Sequence, residues 1–261
     1  MAADAYFTTR DGVWFVPSDF ARGPWDAESC HAGPPTALIV RALERLVSHQ
    51  ALARLTVELR RPIPMSGFAI EAEVRRTGRS ATFTAARLTD DDRVLVEASA
   101  THLRALEHLD VATAPFDLPD FSSAVPGPFP ITDTRHGLQA FSSSIEVRYD
   151  PSQSQGSGGP TTVWMRTIPI LADEEPSPIQ RLCPLADSGN GISYNNYLDK
   201  ILFMNPDLTL AVHRQPASEW VGSRVRSHWH TDGTGLADAE LFDTIGPVGR
   251  ATQSLLLMPA P

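Results

Sequence analysis

Asp187 and Gln253 are the residues of this chain best placed to do chemistry, because each is polar where its setting asks for something else. Asp187 opens the run Asp187-Ser188-Gly189-Asn190-Gly191, just ahead of a stretch that reads as helix. Asp, Ser, Gly and Asn are poor helix-interior residues, and each glycine costs about 1 kcal/mol against alanine inside a helix. An N-cap would account for Asp187 alone. The whole cluster also fits a carboxylate at the mouth of a helix, where it can accept a proton. Free N–H groups around Gly189, Asn190 and Gly191 would there hold negative charge developing on a carbonyl oxygen. Gln253 falls on the apolar face of the last strand with Ala251, Leu255 and Leu257, while Arg250, Thr252 and Ser254 face the other way. A glutamine there must find partners or cost a few kcal/mol. Neighbouring backbone or a functional site would supply them equally well.

Both residues stand out further against an internal repeat. Slid by 153 positions, the chain sets Cys30 on Cys183, Leu55-Thr56 on Leu208-Thr209, Arg61 on Arg214, Leu88 on Leu241, Asp90 on Asp243 and Leu103 on Leu256, with no gap from 31 to 103. A duplicated unit larger than a solenoid repeat implies two similar subdomains packed together. The mates of Asp187 and Gln253 are Pro34 and Ala100, so one site per chain is expected. The two cysteines, Cys30 and Cys183, fall at equivalent positions and read as reduced packing residues rather than metal ligands.

The elements that must position these residues follow from pattern. In the first half, 6–9 and 13–16 suggest a short hairpin. Gly33-Pro34-Pro35 opens a helix, since proline is tolerated in the first turn, and 36–47 is apolar on most sides, as a buried helix must be. Strands follow over 54–61, 68–76, 80–89 and 93–104; Phe68, Ile70, Ala72 and Val74 alternate with polar neighbours, the period of a sheet with one buried face. The second half repeats this order: a hairpin over 141–149 and 161–171, a helix region over 187–203 and a strand meander over 208–258. Residues 112–133 carry five prolines and read as an extended linker; 151–160 reads as a flexible loop. The expected division is 1–110, a linker over 111–136, and 137–261, in the α+β class, each unit an antiparallel sheet wrapped around a buried helix.

That order, with His31-Ala32-Gly33-Pro34-Pro35, Arg61-Pro62, Ala186-Asp187-Ser188-Gly189-Asn190-Gly191 and Asn205-Pro206-Asp207-Leu208-Thr209, resembles the double-hotdog acyl-CoA thioesterases related to bacterial thioesterase II. The resemblance covers both halves. It implies hydrolysis of a fatty acyl-CoA by direct water attack, with no cofactor, no metal and no covalent serine. That family holds the water with an Asp, a Ser or Thr, and a Gln, which implies Asp187 and Gln253. Alignment on His213-Arg214 sets Asn205 where the family has threonine. Thr209, four residues on, has the family's chemical type and is the expected third ligand, with Asn205 next. Asp187 would accept the water's proton while the N–H groups of Gly189, Asn190 and Gly191 hold the oxyanion.

The remaining signals are weaker. His228-Trp229-His230-Thr231-Asp232 has the form of half a metallohydrolase motif but lacks a second ligand cluster, and its repeat mate reads as a hairpin tip. No GxSxG elbow occurs. His31 reads as a capping or interface histidine, or as a pocket residue. Arg60, Arg61 and Arg214 read as solvated charges or as partners for CoA phosphates. Ile192, Tyr197, Leu198 and Ile201 read mainly as core, with an acyl tunnel as the other role. A net charge of −9 and a pI near 5.3 argue against nucleic acid. No apolar run suggests membrane insertion and the first residues carry no secretory signal, so a cytoplasmic protein is expected. Open strand edges are compatible with a homo-oligomer. The rival readings are a non-catalytic acyl-CoA or lipid-binding hotdog protein and a hotdog-fold enoyl-CoA hydratase, which needs a His paired with Asp or Glu.

Overall fold

The computed structural model describes residues 5–91, 93–106, 109–131, 136–153, 159–195 and 200–260. The first half holds β1 (Phe7–Thr9), β2 (Trp14–Pro17), α1 (Gly33–Leu46), β3 (Ala51–Leu59), β4 (Phe68–Arg76), β5 (Ala81–Asp90) and β6 (Arg93–Leu103). The second holds β7 (Val125–Gly127), β8 (Ile145–Tyr149), β9 (Thr161–Thr167), α2 (Pro178–Ala186), α3 (Gly189–Ser193), β10 (Ile201–Met204), β11 (Asp207–Val212), β12 (Val221–Trp229), β13 (Thr234–Asp243) and β14 (Gly246–Pro259). None of the described helices is long and apolar enough to cross a membrane.

Among the described residues the strands form one antiparallel sheet in the order β1-β2-β4-β5-β6-β3-β11-β14-β13-β12-β9-β8-β7, with β10 also on β14. The two halves join at β3 and β11, where Thr56 lies opposite Thr209. These are repeat mates, so the pseudo-two-fold axis passes through that pair. Inward residues such as Leu55, Val57, Leu208 and Leu210 are buried on one continuous core against the helices. Burial of apolar area at about 25 cal/mol per Å² is what holds sheet and helices together.

Helix α1 is buried from Gly33 to Val40, with Leu43 following. It packs on α2, and polar groups stitch the pair: Glu174 takes Arg41 through Nε and Nη2 (2.6 and 2.7 Å) and Arg45 at 3.1 Å. Glu44 takes Gln180 (2.9 Å) and Ser177 (3.0 Å). Ser177 also caps α2 by accepting the Gln180 N–H.

Two expectations are corrected here. The helix region expected over 187–203 is divided: α2 lies upstream, α3 is one short helix, and Ile201–Met204 is strand β10. The repeat concealed α2, because its mate in the first half, 25–33, is largely irregular. The stretch 112–133 is extended over much of its described length, but it is no free linker. Phe116 packs on Phe242, Phe121 on Trp164 and Trp220, and Arg224 donates to the Asp117 carbonyl. It thus straps the outer face of the second-half sheet. Residues 154–158 of the expected flexible loop lie outside the described residues.

Candidate active site

Asp187 closes α2 rather than opening a helix. Its backbone N–H donates to Cys183 O, Ser188 sends its hydroxyl back to Pro184 O (2.6 Å), and α3 starts at Gly189. Gln253 comes from β14 at the point where that strand changes partner. Residues up to Thr252 pair with β11, and residues from Leu256 on pair with β10. Asn205 lies in the step between β10 and β11. One side chain from each of three segments therefore turns into the same gap.

The bonds there are specific. Asn205 Nδ2 donates to Asp187 Oδ1 at 2.9 Å, and Gln253 Nε2 donates to Asp187 O at 2.8 Å and to Oδ1 at 3.2 Å. The Asn190 N–H donates to Gln253 Oε1 at 3.2 Å, which sets which end of the amide faces Asp187. Trp229 Nε1 holds Asn190 Oδ1 at 2.9 Å. A Cβ at Gly189 would stand 2.9 Å from Gln253 Oε1, so a side chain there would displace that amide.

The first half contributes His31. Its Nδ1 lies 3.2 Å from Asp187 Oδ2, and its ring stacks on Phe141 with centroids 4.0 Å apart and planes 14° apart. Burial pushes the Asp187 carboxyl up to about 7, against hydrogen bonds from Asn205, Gly33 and Gln253 that pull it down. Burial pushes His31 down to about 3. The contact is therefore between a neutral imidazole and a carboxyl that is readily protonated, rather than a buried ion pair.

Thr209 is the corrected expectation. It pairs directly with Thr252 and Thr56, so it shares the outer face with Thr252 while Gln253 points inward. Strand alternation does not reach back to Asn205, because β11 begins at Asp207. Of the expected oxyanion donors, the Asn190 N–H is engaged by Gln253, and Gly191 lines the cavity.

The cavity beside Asp187 has a volume of about 410 Å³. Trp25, Phe129, Ile131, Phe141 and Phe203 give it an apolar wall, and Arg60 and Arg61 stand at its rim. Arg60 is paired with Glu58 and Glu97. Arg214 is locked onto buried Asp243 (2.6 and 2.8 Å) and does not line this cavity. Ile192 is core, Ile201 belongs to β10, and Tyr197 and Leu198 lie outside the described residues. A larger depression of about 700 Å³ lies on the outer face of the first-half sheet. It is lined by mutually paired charges such as Arg75–Glu73 and Arg87–Glu97 and holds none of Asp187, Asn205, Gln253 and His31. His230 and Asp232 form an exposed pair on the β12–β13 turn. No three metal-ligating side chains cluster among the described residues.

Family models for the acyl-CoA thioesterase N-terminal and C-terminal domains match residues 21–103 and 115–257. The chain belongs to the acyl-CoA thioesterase family. Solved structures agree in fold. A hot dog fold protein of unknown function from Alicyclobacillus acidocaldarius is 18% identical, with a TM-score of 0.73 over 97% of this chain and 96% of that one. A protein assigned as thioesterase II from Thermobifida fusca YX is 14% identical, with a TM-score of 0.74 over 98% and 96%. The acyl-CoA thioesterase II TesB2 from Mycobacterium marinum is 16% identical, with a TM-score of 0.63 over 97% and 94%. Among curated proteins, none matches the sequence significantly. The fold is accordingly a double hotdog.

In the sequence His31 reads either as a cap or interface residue or as a pocket residue. Its repeat mate is Pro184, so the same asymmetry that singled out Asp187 and Gln253 was present there too.

Proposed function

We propose that this family member hydrolyses a fatty acyl-CoA to the free acid and CoA by direct attack of water. The observation that carries the reading is the buried carboxyl of Asp187, held by Asn205 and Gln253 beside an apolar cavity. A water bound among these three groups gives one proton to Asp187 as its oxygen attacks the thioester carbonyl carbon. The C=O π pair moves onto oxygen. When the carbonyl re-forms, the C–S bond breaks, and the departing thiolate takes the proton from Asp187. The second water proton leaves with the carboxylic acid product. A carboxyl whose range is raised to about 7 is a better base than an ordinary aspartate and still ionises near neutrality. Asn205 takes the place that the family gives to a threonine, and Thr209 takes no part.

The test is thiol release from acyl-CoAs of increasing length by wild type, Asp187→Ala and Gln253→Ala. Turnover should fall by about 10² or more in both variants; equal rates in all three would remove the assignment. The His31–Asp187 contact favours a second reading, the enoyl-CoA hydratase, which uses such a pair to move protons at carbon. Loss of enoyl-CoA absorbance without thiol release would select it. Acyl-CoA binding with neither reaction would select the binding protein.

A further inference from the structure

Hydrolysis at this site needs donors for the oxyanion; Gly191 lines the cavity, while several other backbone groups near Asp187 are committed. The Asn190 N–H serves Gln253. At the start of α1, Pro34 and Pro35 have no N–H, and the Thr36 N–H is bonded to Ala32 O. The Gly33 N–H donates to His31 Nδ1 at 3.1 Å and also faces the Asp187 carboxyl.

The Gly33 N–H points at Nδ1, whereas the 3.2 Å contact of Nδ1 with Asp187 Oδ2 is not a hydrogen bond of the ring, and together these assign the tautomer of His31. A ring nitrogen that accepts from Gly33 carries no proton, so in the neutral imidazole the proton sits on Nε2. Nε2 has no hydrogen-bond partner among the described residues. The ring lines the cavity, and its side chain is 14% exposed. Stacking on Phe141 fixes the ring plane. Gly33 lies at a close approach of the two helices, where a Cβ would stand 2.8 Å from Pro184 Cα.

We propose, resting on the hydrolase reading, that the His31 Nε2–H is the side-chain donor to the thioester carbonyl oxygen and to the oxyanion formed when water adds. The two halves then divide the reaction. The second half binds and deprotonates water through Asp187, Gln253 and Asn205, and the first half receives the charge that moves onto oxygen. No proton is transferred to or from His31. It donates one hydrogen bond that shortens as charge develops, which stabilises the transition state more than the bound substrate. A neutral imidazole suits this task, and burial keeps His31 neutral.

The experiment compares wild type, His31→Phe and His31→Gln in thiol release from acyl-CoA. Phenylalanine keeps a ring on Phe141 and removes the donor; glutamine restores an N–H of similar reach. The expected result is a loss of about 10²–10³ in kcat for His31→Phe with little change in KM, and recovery of most of that loss in His31→Gln. A purely structural histidine would be replaced better by phenylalanine than by glutamine, the reverse order. A second readout uses wild type alone: the carbonyl stretch of a bound CoA ketone, with methylene in place of sulfur, should move to lower frequency than in water. Unchanged kcat in both variants, or an unshifted carbonyl, would overturn the role of His31 while leaving the hydrolase standing. A wild type that releases no thiol would overturn both.

Discussion

Asp187 and His31 are buried neighbours whose ranges are displaced in opposite directions by the same burial, and this has consequences with definite signs. As the base, Asp187 must be ionised, so kcat/KM should rise with pH through about 7; a flat profile across that region would count against the base. For stability, Asp187 goes from 3.8 to about 7 on folding. The folded state then holds a proton the unfolded state has lost, and the penalty grows between those values and is constant above them. Asp187→Asn should accordingly stabilise the protein above neutrality and do little near pH 3.8, as read from urea midpoints at both pH values. His31 falls from 6.5 to about 3, so its contribution is lost as pH drops through that window. At Gly189, an alanine would push on Gln253 Oε1. It should lower kcat by up to about 10² through misplacement of the amide, with the fold retained.

Among the elements, the strap over the second-half sheet and the α1–α2 pair do the least obvious work. Phe121 sits half-buried on Trp164 and Trp220, with Arg148 over its ring. Phe121→Ala should cost about 2 kcal/mol, less than a fully buried aromatic, and should leave kcat unchanged, because the strap residue is on the opposite face from Asp187. Gly222 lies directly under the Phe242 ring. Gly222→Ala should destabilise by about 1–3 kcal/mol by overpacking. A urea midpoint unmoved by Phe121→Ala would show that the strap is not packed as described, and one unmoved by Gly222→Ala that Phe242 does not lie over Gly222.

For the whole molecule, the site exists only where the halves meet, since His31 belongs to the first and Asp187, Asn205 and Gln253 to the second. The sheet runs unbroken through β3 and β11. The chain should therefore unfold in one cooperative transition, with calorimetric and van't Hoff enthalpies equal. Two resolved transitions would mean that the halves are independent. Fragments 1–110 and 137–261 prepared separately should each lack thiol release.

The double hotdog was legible because a 153-residue repeat and period-2 alternation are local signals, and β4, β5 and β6 form close to where the pattern placed them. Asp187 and Gln253 were legible for a related reason: a duplicated chain exposes any residue that breaks its own symmetry. Pattern could not decide between Thr209 and Asn205. That choice depends on where β14 leaves β11 for β10, which is a register between distant strands. Nor could it join His31 to Asp187, which lie 156 positions apart in sequence. Their contact follows from the packing of α1 against α2. Periodicity and symmetry are written along the chain, whereas a buried carboxyl acquires its partners and its raised ionisation range only when separate elements close over it.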